Sequence, residues 1–453
     1  MDSPHPRPPE AFLGTISIWR PTPKTTKMNK DKAKPNDTPP TDATSASVVP
    51  PAGVKASTPC DDGLKPTPME TEPSKDISNQ SQFLKLIEYN FRGLGVPFLI
   101  QLAVVLCMQL ENRHACLSLI TCGAASSGKS LLLSIFEVLD FAVVRDKISA
   151  ASFAPAKNSE ENSLLDQVKN KLLISPELYL LFTQPTATLK GILGTLTRVL
   201  DGRGISYASA FGKSGDTRKL VFNWLAAVIE VPKAVWEISS NLGARLLFIN
   251  IPKITKSPEE RLQSSYNMLK VERAFEAKIE ILQKALLGFL EVIKFEINSH
   301  TWDRSLDDDE ATHNLAAFGE TLSILRGTIK SGIVSIESPA RVITALHLIA
   351  AGFAIMNQRR QVAMSDIKYH GKIILDSIDP IRRRVFIFLL EKNKPLSPAV
   401  FRTTLDLSSK EYNLMTKIGM ISANSENQVT LGNDLEVFAG GSIKANLLYG
   451  SKI

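Results

Sequence analysis

The strongest constraint on the fold is a glycine-containing segment that lies between two apolar runs. Residues 123–130 read Gly-Ala-Ala-Ser-Ser-Gly-Lys-Ser, which is the pattern G-x-x-x-x-G-K-S. The segment 115–121 before it is short and apolar, as expected of a buried parallel strand. The segment 131–139 after it is apolar on both halves of each turn and predicts a core helix. A strand, a tight loop and a helix in this order predict an α/β fold.

The same segment has the chemistry of a phosphate site. Gly123 and Gly128 allow the backbone to fold tightly, so that successive N–H groups point at a bound phosphate, and the positive end of the helix adds to that field. Lys129 can reach the β- and γ-phosphates of a nucleotide, and the Ser130 hydroxyl can ligate Mg²⁺. The alternative is a plain Ser- and Gly-rich turn between two buried elements. We predict a site for ATP and Mg²⁺ whose residues are Gly123, Ala124, Ala125, Ser126, Ser127, Gly128, Lys129, Ser130 and Leu131.

The composition of the chain limits the class of protein that it can be. The 453 residues suffice for two or three domains, and the formal net charge of +7 permits nucleic-acid binding without requiring it. The cysteines are Cys60, Cys107, Cys116 and Cys122. They form no C-x-x-C pair, which indicates a reduced, intracellular compartment, and we expect a cytoplasmic protein. The longest apolar run, 96–108, is too short to span a bilayer, and the first residues are rich in proline rather than apolar, so we expect no membrane partner and no signal peptide.

The first 80 residues differ in composition from the rest. They hold more than half of the 26 prolines, with Ser, Thr, Lys and Asp between them. Such a segment buries too little apolar area to offset its chain entropy, and we expect a disordered tail. The alternative is a docking or DNA-tethering arm that uses Lys24, Lys27, Lys30, Lys32 and Lys34.

An acidic residue closes another apolar run. Residues 170–178 read Asn-Lys-Leu-Leu-Ile-Ser-Pro-Glu-Leu, in which a charged residue leads into a strand that ends near Glu177. A carboxylate at that point can polarise the water that attacks ATP. Pro176 stands where the corresponding nucleotide-site motif usually has an Asp that holds Mg²⁺ through water, which weakens the assignment of a metal ligand here. The alternative for Glu177 is a surface glutamate after a strand.

The segments that follow complete a core. Residues 189–200 predict a strongly amphipathic helix, 205–215 a hairpin and 219–227 a strand. Arg245 then leads into a fifth strand, within 243–252.

This order of phosphate loop, acidic strand, hairpin, further strand and arginine resembles that of an AAA+ ATPase. It looks most like the branch that includes minichromosome-maintenance helicases and their hairpin-bearing relatives. The resemblance covers roughly residues 82–380, where the phosphate loop is matched by its letters and the remainder by order and character. It implies that Glu177 is the catalytic acid and that Arg245 is an arginine finger, which serves a neighbouring subunit by stabilising charge on the γ-phosphate in transit. It also implies a polar sensor residue, for which we choose Asn223 over Glu230.

The second half of the chain adds two helical regions. The region 257–380 is nearly all helical by periodicity and resembles the AAA+ lid, in which Arg341 would sense the γ-phosphate from the start of a helix. For Arg341 and Arg245 alike, the alternative is a surface arginine. The region 381–453 reads as three helices and a small β wing, which resembles a winged helix, a module that binds either DNA or protein. The basic side chains that could touch DNA phosphates there are Arg382, Arg383, Arg384, Arg402, Lys410 and Lys417.

The predicted organisation is a disordered tail (1–80), an α/β P-loop core of AAA+ type (81–256), a helical lid (257–380) and a winged-helix-like domain (381–453). We expect an ATP-hydrolysing motor that acts on DNA as a homo-oligomeric ring, with Lys213 of the hairpin and the C-terminal domain at the DNA. The alternatives are a chaperone-like AAA+ ATPase that remodels a protein and an assembly switch with slow hydrolysis. DNA-stimulated ATP turnover separates the first function from the other two.

Overall fold

A computed structural model of the chain describes residues 77–149, 152, 164–203, 205–209, 212–216, 220–242, 245–253, 257–270, 272–391 and 396–453. They all belong to one compact unit, which spans residues 70–453. The predicted tail lies outside the described residues except for its last four.

The first half of the described chain alternates helices with short strands, and the second half is mainly helical. The helices are α1 (Gln80–Asn90), α2 (Gly95–Leu106), α3 (Lys129–Ser134), α4 (Leu164–Val168), α5 (Tyr179–Phe182), α6 (Thr186–Leu200), α7 (Lys233–Leu242), α8 (Pro258–Lys270), α9 (Glu272–Val292), α10 (Asp309–Arg326), α11 (Ala340–Met356), α12 (His370–Asp376), α13 (Pro380–Glu391), α14 (Pro398–Thr404), α15 (Ser409–Lys417), α16 (Asn433–Phe438) and α17 (Gly441–Lys452). The strands are β1 (Leu117–Cys122), β2 (Ala142–Val144), β3 (Leu172–Ser175), β4 (Ile205–Ser209), β5 (Gly212–Asp216), β6 (Asn223–Val228), β7 (Leu246–Asn250), β8 (Thr328–Lys330), β9 (Ile333–Ser335), β10 (Ile421–Ala423) and β11 (Val429–Leu431).

A parallel sheet of five strands lies at the centre, in the order β2-β3-β6-β1-β7. In its register Cys122 at the end of β1 lies opposite Val228 of β6 and Asn250 of β7. The carboxyl ends of these strands therefore meet at one edge of the sheet. The sequence prediction of an α/β fold is confirmed, and β1, β3, β6 and β7 each lie, to within one residue at the carboxyl end, inside a segment that the sequence marked as a strand.

Helices cover both faces of the sheet because successive side chains of a strand point to opposite sides. Leu119, Leu225 and Leu247 belong to the core that includes α2, α9 and α11. Ile120 and Phe248, their sequence neighbours, belong to the core that includes α6 and α7. The near-continuous apolar character of the strands follows from this burial on two sides.

Helix α2 is buried along almost its whole length, which explains why its sequence is apolar on every side. It packs against the sheet through Gln101, whose side-chain amide donates to the Thr121 hydroxyl at 2.7 Å. On its other side it packs against α11, where a Cβ placed on Gly352 would stand 2.0 Å from the Ala103 carbonyl oxygen. Helix α11, from the predicted lid, thus shares a core with a helix of the predicted ATPase domain.

The contact between α2 and α11 predicts a large effect for a small substitution. We expect Gly352→Ala to lower the free energy of unfolding by about 2–3 kcal/mol, since the added methyl group forces the two backbones apart. The matched control is Gly288→Ala in α9, where a Cβ meets nothing within 4 Å. That substitution should raise the stability by about 0.5–1 kcal/mol through helix propensity. Urea unfolding followed by circular dichroism measures both, and equal effects would contradict the close approach.

The C-terminal region begins with helices α13 to α15, which the antiparallel hairpin β10–β11 follows, in the order expected from the sequence. The hairpin β4–β5 is also present in the described residues as expected. Helices α16 and α17 were not predicted. Helix α17 packs closely on α12, where a Cβ on Gly371 would stand 2.3 Å from the Asn446 carbonyl oxygen. Within the described ranges, no helix combines the length and apolar character needed to cross a membrane.

Candidate functional site

The predicted phosphate loop, residues 123–130, begins where three neighbouring strands end. The Gly123 amide donates to the Val228 carbonyl at 3.2 Å, and the Ile251 amide donates to the Cys122 carbonyl at 2.8 Å. The loop therefore lies at the carboxyl edge of the central strand. In open parallel sheets this edge is where ligands bind.

The backbone of the loop explains the position of its second glycine. Gly128 has a φ of 95°, in the left-handed region, and a Cβ there would stand 2.7 Å from Leu94 Cδ1. Ser126 also takes a left-handed conformation, with a φ of 60°. The hydroxyl of Ser127 is buried and has no hydrogen-bond partner among the described residues. A tight turn with an unpartnered buried hydroxyl is a feature that a bound polyphosphate would complete.

Lys129 places its ammonium group inside the loop. The side chain is 6% exposed, and Nζ donates to the carbonyl oxygens of Gly123 at 2.8 Å and Ala124 at 2.7 Å. Burial lowers the pKa of Lys129, while the negative charge of Glu177 acts in the opposite direction. The loop thus holds a positive charge at its centre, and these residues fit the phosphates of a nucleotide.

The next two residues of the predicted site differ in environment. Ser130 is exposed in the first turn of α3, and Leu131 is buried in the core. In the part of the chain that the structure describes, no group of three or more His, Cys, Asp or Glu side chains could hold a metal. Ser130 is the residue of this site whose hydroxyl could hold Mg²⁺, together with phosphate oxygens and water, which are usual ligands of this ion. Helix α3 is shorter than the predicted helix 131–139, because the chain tightens into a 3₁₀ turn at Ile135–Val138.

Glu177 lies just after β3, beyond Pro176. Its carboxylate is exposed and accepts a hydrogen bond from the Tyr179 amide at 2.7 Å. The Leu178 amide donates to the Ala227 carbonyl of β6 at 2.8 Å, which fixes this turn at the carboxyl edge of the sheet. Glu177 therefore lies at the same carboxyl edge as the loop, where its negative charge partly offsets the lowering of the Lys129 pKa by burial.

Asn223 lies at the opposite edge from the loop, which corrects its assignment as the sensor. It is the first residue of β6, level with Leu117 at the start of β1. Its amide is fully buried and donates to the Val104 carbonyl at 2.6 Å, while its oxygen accepts from Arg113 Nη1 at 3.0 Å. The sequence did not show where in the segment 219–227 the strand begins. The competitor, Glu230, is exposed just beyond the carboxyl end of β6.

Arg245 and Arg341 meet at the amino edge through a shared partner, Asp201. Nε and Nη2 of Arg245 each donate to a different oxygen of Asp201 at 2.9 Å, and Arg341 Nη2 lies 3.3 Å from the same carboxylate. Asp201 directly follows α6, whose last carbonyl accepts from the Cys116 amide just before β1. Neither guanidinium therefore lies at the loop of its own chain. Sequence reasoning missed Asp201, because an acid after a helix carries no signal of its partners.

The C-terminal arginines mostly bind their own fold. Arg382 Nη1 donates to the carbonyls of Leu325 at 2.7 Å and Gly327 at 2.8 Å, and Arg383 pairs with Asp376. Each of the other two also donates a hydrogen bond within the region: Arg384 Nη2 to the Leu405 carbonyl and Arg402 Nη2 to the Ser409 hydroxyl. Of the six candidate side chains, Arg384 of α13 and Lys410 and Lys417 of α15 are exposed. Lys213 lies in β5, opposite Ala208.

The chain matches no protein-family model and no curated protein.

Proposed function

We propose that the protein binds and hydrolyses ATP, as an AAA+-like P-loop ATPase. The observation that carries the proposal is the buried ammonium of Lys129 inside a loop with left-handed turns at Ser126 and Gly128, at the carboxyl edge of a parallel sheet. Glu177 supplies an exposed carboxylate on the same edge. Together these groups offer charge compensation for phosphates and a base for water.

Each group has a defined task in this proposal. Lys129 exchanges the carbonyl oxygens of Gly123 and Ala124 for β- and γ-phosphate oxygens, and the loop amides donate to the remaining oxygens. Glu177 releases the Tyr179 amide and accepts a proton from the attacking water. Bound Mg²⁺ supplies further neutralisation of phosphate charge, with the hydroxyl of Ser130 as its protein ligand.

Arginines gather near the amino edge of the sheet, away from the loop, which supports a head-to-tail assembly. The carboxyl edge has the exposed acids Glu177 and Glu230 as well as the exposed bases Arg145 and Lys253. The arginines at the amino edge or next to Asp201 in the sequence are Arg198, Arg203, Arg245 and Arg341. Head-to-tail interfaces that close produce rings, and in such a ring the amino edge of one subunit faces the loop of the next. Arg245 would then serve a neighbour's γ-phosphate, with Arg341 beside it.

The ring proposal predicts complementation between two inactive variants. Arg245→Ala should bind ATP but hydrolyse it poorly, and mixing it with Lys129→Ala should restore activity, because some interfaces then combine an intact loop with an intact arginine. Colorimetric phosphate release over a range of protein concentrations measures this. Arg245 is 9% exposed and paired with Asp201, so its removal also breaks an ion pair. Arg359→Ala is the control for that effect, because it breaks the ion pair with Asp366 elsewhere in the chain. Near-normal turnover by Arg245→Ala, or no rescue on mixing, would contradict the arginine finger.

DNA is the proposed substrate of the motor. The hairpin β4–β5 carries Lys213, and α15 presents Lys410 and Lys417 to solvent. These cations suit phosphate contacts, which supply most of the sequence-independent affinity for DNA.

A protein substrate is the second candidate, and one surface favours it. The hairpin β8–β9 exposes Ile333 by 73%, together with Val334 and Ile336. Contiguous exposed apolar side chains mark protein contacts more often than DNA contacts. The decisive experiment is the ATPase rate with and without single- and double-stranded DNA. Stimulation that is lost in Lys410→Ala/Lys417→Ala supports the DNA motor, whereas a rate indifferent to DNA favours the remodelling ATPase or the slow switch.

A further inference from the structure

A buried carboxylate outside the phosphate loop joins the sheet to the C-terminal helices. Asp376, the last residue of α12, has a fully buried side chain. It accepts hydrogen bonds from the backbone amide of Asn250 and from the Asn250 side-chain amide, each at 2.8 Å. It also pairs with Lys372 Nζ at 3.0 Å and with Arg383 of α13. Both carboxylate oxygens are thus engaged by donors from the sheet and from two helices.

Asn250 leads directly from this cluster to the phosphate loop. It is the last residue of β7 and lies opposite Cys122 in the register with β1. The next residue, Ile251, donates its amide to the Cys122 carbonyl at 2.8 Å, and its Cβ lies 3.3 Å from where a Cβ on Gly123 would stand. Burial raises the pKa of the Cys122 thiol, and the negative charge of Asp376 raises it further, so the charge acts at the residue before the loop.

The composition of the cluster indicates a positional role. Two cations and two amide groups surround a single carboxylate, so every ligand of Asp376 is a donor. A buried charge of this kind contributes little net stability compared with an apolar core, but losing one partner is costly. The two hydrogen bonds that Asp376 accepts from Asn250 fix the orientation of both the backbone and the side chain at the end of the strand.

We propose that Asp376 is a positioning residue for the nucleotide. It holds Asn250, and through Ile251 the first turn of the phosphate loop, in the geometry that binds phosphate. Arg383 extends the same cluster to α13, so one side chain, Asp376, connects the loop to the C-terminal helices. This inference rests on the proposed ATP site.

The test uses the full chain, a fluorescent ATP analogue for the Kd, and steady-state phosphate release for KM and kcat. Asp376→Asn should raise the Kd and KM by about tenfold, because the amide places a donor against donors, while kcat falls less. The matched control is Asp366→Asn. Asp366 is a buried carboxylate that pairs with Arg359 and accepts from the Ala363 amide, with no such bond to the sheet. It should lower the melting temperature and leave the Kd unchanged.

Asn250→Ala provides a second and milder variant, because it removes only the side-chain bond at 2.8 Å and leaves the ion pairs. It should raise the Kd several-fold, and Asp376→Asn should add less to it than to the wild-type chain, as expected of coupled residues. If both variants bind the analogue with the wild-type Kd while Lys129→Ala does not bind it, the positioning role is overturned and the ATP site stands. If Lys129→Ala binds as tightly as the wild-type chain, the ATP site itself is overturned, and the inference falls with it.

Discussion

Lys129→Ala is expected to raise the Kd for ATP by about 10–100-fold, the equivalent of losing hydrogen bonds to a charged group. The reason is that the Lys129 ammonium lies inside the loop, 6% exposed and between the carbonyls of Gly123 and Ala124, so its removal leaves the phosphate charge uncompensated there. Isothermal titration with ATP and Mg²⁺ measures the affinity directly. Turnover should fall at least in proportion, since the same ammonium stabilises charge on the γ-phosphate in transit.

A lysine on the surface provides the control for that substitution. Lys284 is 78% exposed and pairs only loosely with Glu280 in α9, with a distance of 3.5 Å. Lys284→Ala removes the same charge and should leave ATP affinity unchanged. If both variants bind ATP like the wild-type chain and both melt normally, residues 123–130 form a turn rather than a nucleotide site.

Glu177→Gln is expected to lower kcat by about 10²–10⁴-fold while the Kd for ATP stays nearly constant, because a general base acts in the transition state. The glutamine keeps an oxygen that can accept from the Tyr179 amide, so the turn after β3 should remain folded. Single-turnover phosphate release and nucleotide titration separate the two quantities. The variant should also retain ATP in a long-lived complex.

The second acid at the carboxyl edge tests whether Glu177 has this role alone. Glu230 is exposed beyond the end of β6, and Glu230→Gln carries the same change of charge. We expect a much smaller decrease in kcat for it. Normal hydrolysis by Glu177→Gln together with a large decrease for Glu230→Gln would assign the base to Glu230. Normal hydrolysis by both variants would leave Asp166 of α4 as the next candidate.

The sequence by itself determined the core of this protein, because the relevant signals are local. The pattern of residues 123–130 requires a strand on one side and a helix on the other, and both are present. Apolar runs bounded by charges marked β3, β6 and β7, since strands buried on both faces need no alternation. The hairpin β4–β5 followed from short-range signals of the same kind.

The tertiary structure decided everything that depends on long-range pairing. The parallel register placed Asn223 at the amino edge and Glu230 at the carboxyl edge, although the two residues are close together in the sequence. Asp201 accepts hydrogen bonds from Arg245 and Arg341, which are 44 and 140 residues distant in the chain. Asp376 likewise reached Asn250 across 126 residues. A charged side chain carries no local sign of its partner, so these contacts, and the roles they support, are read only from the folded chain.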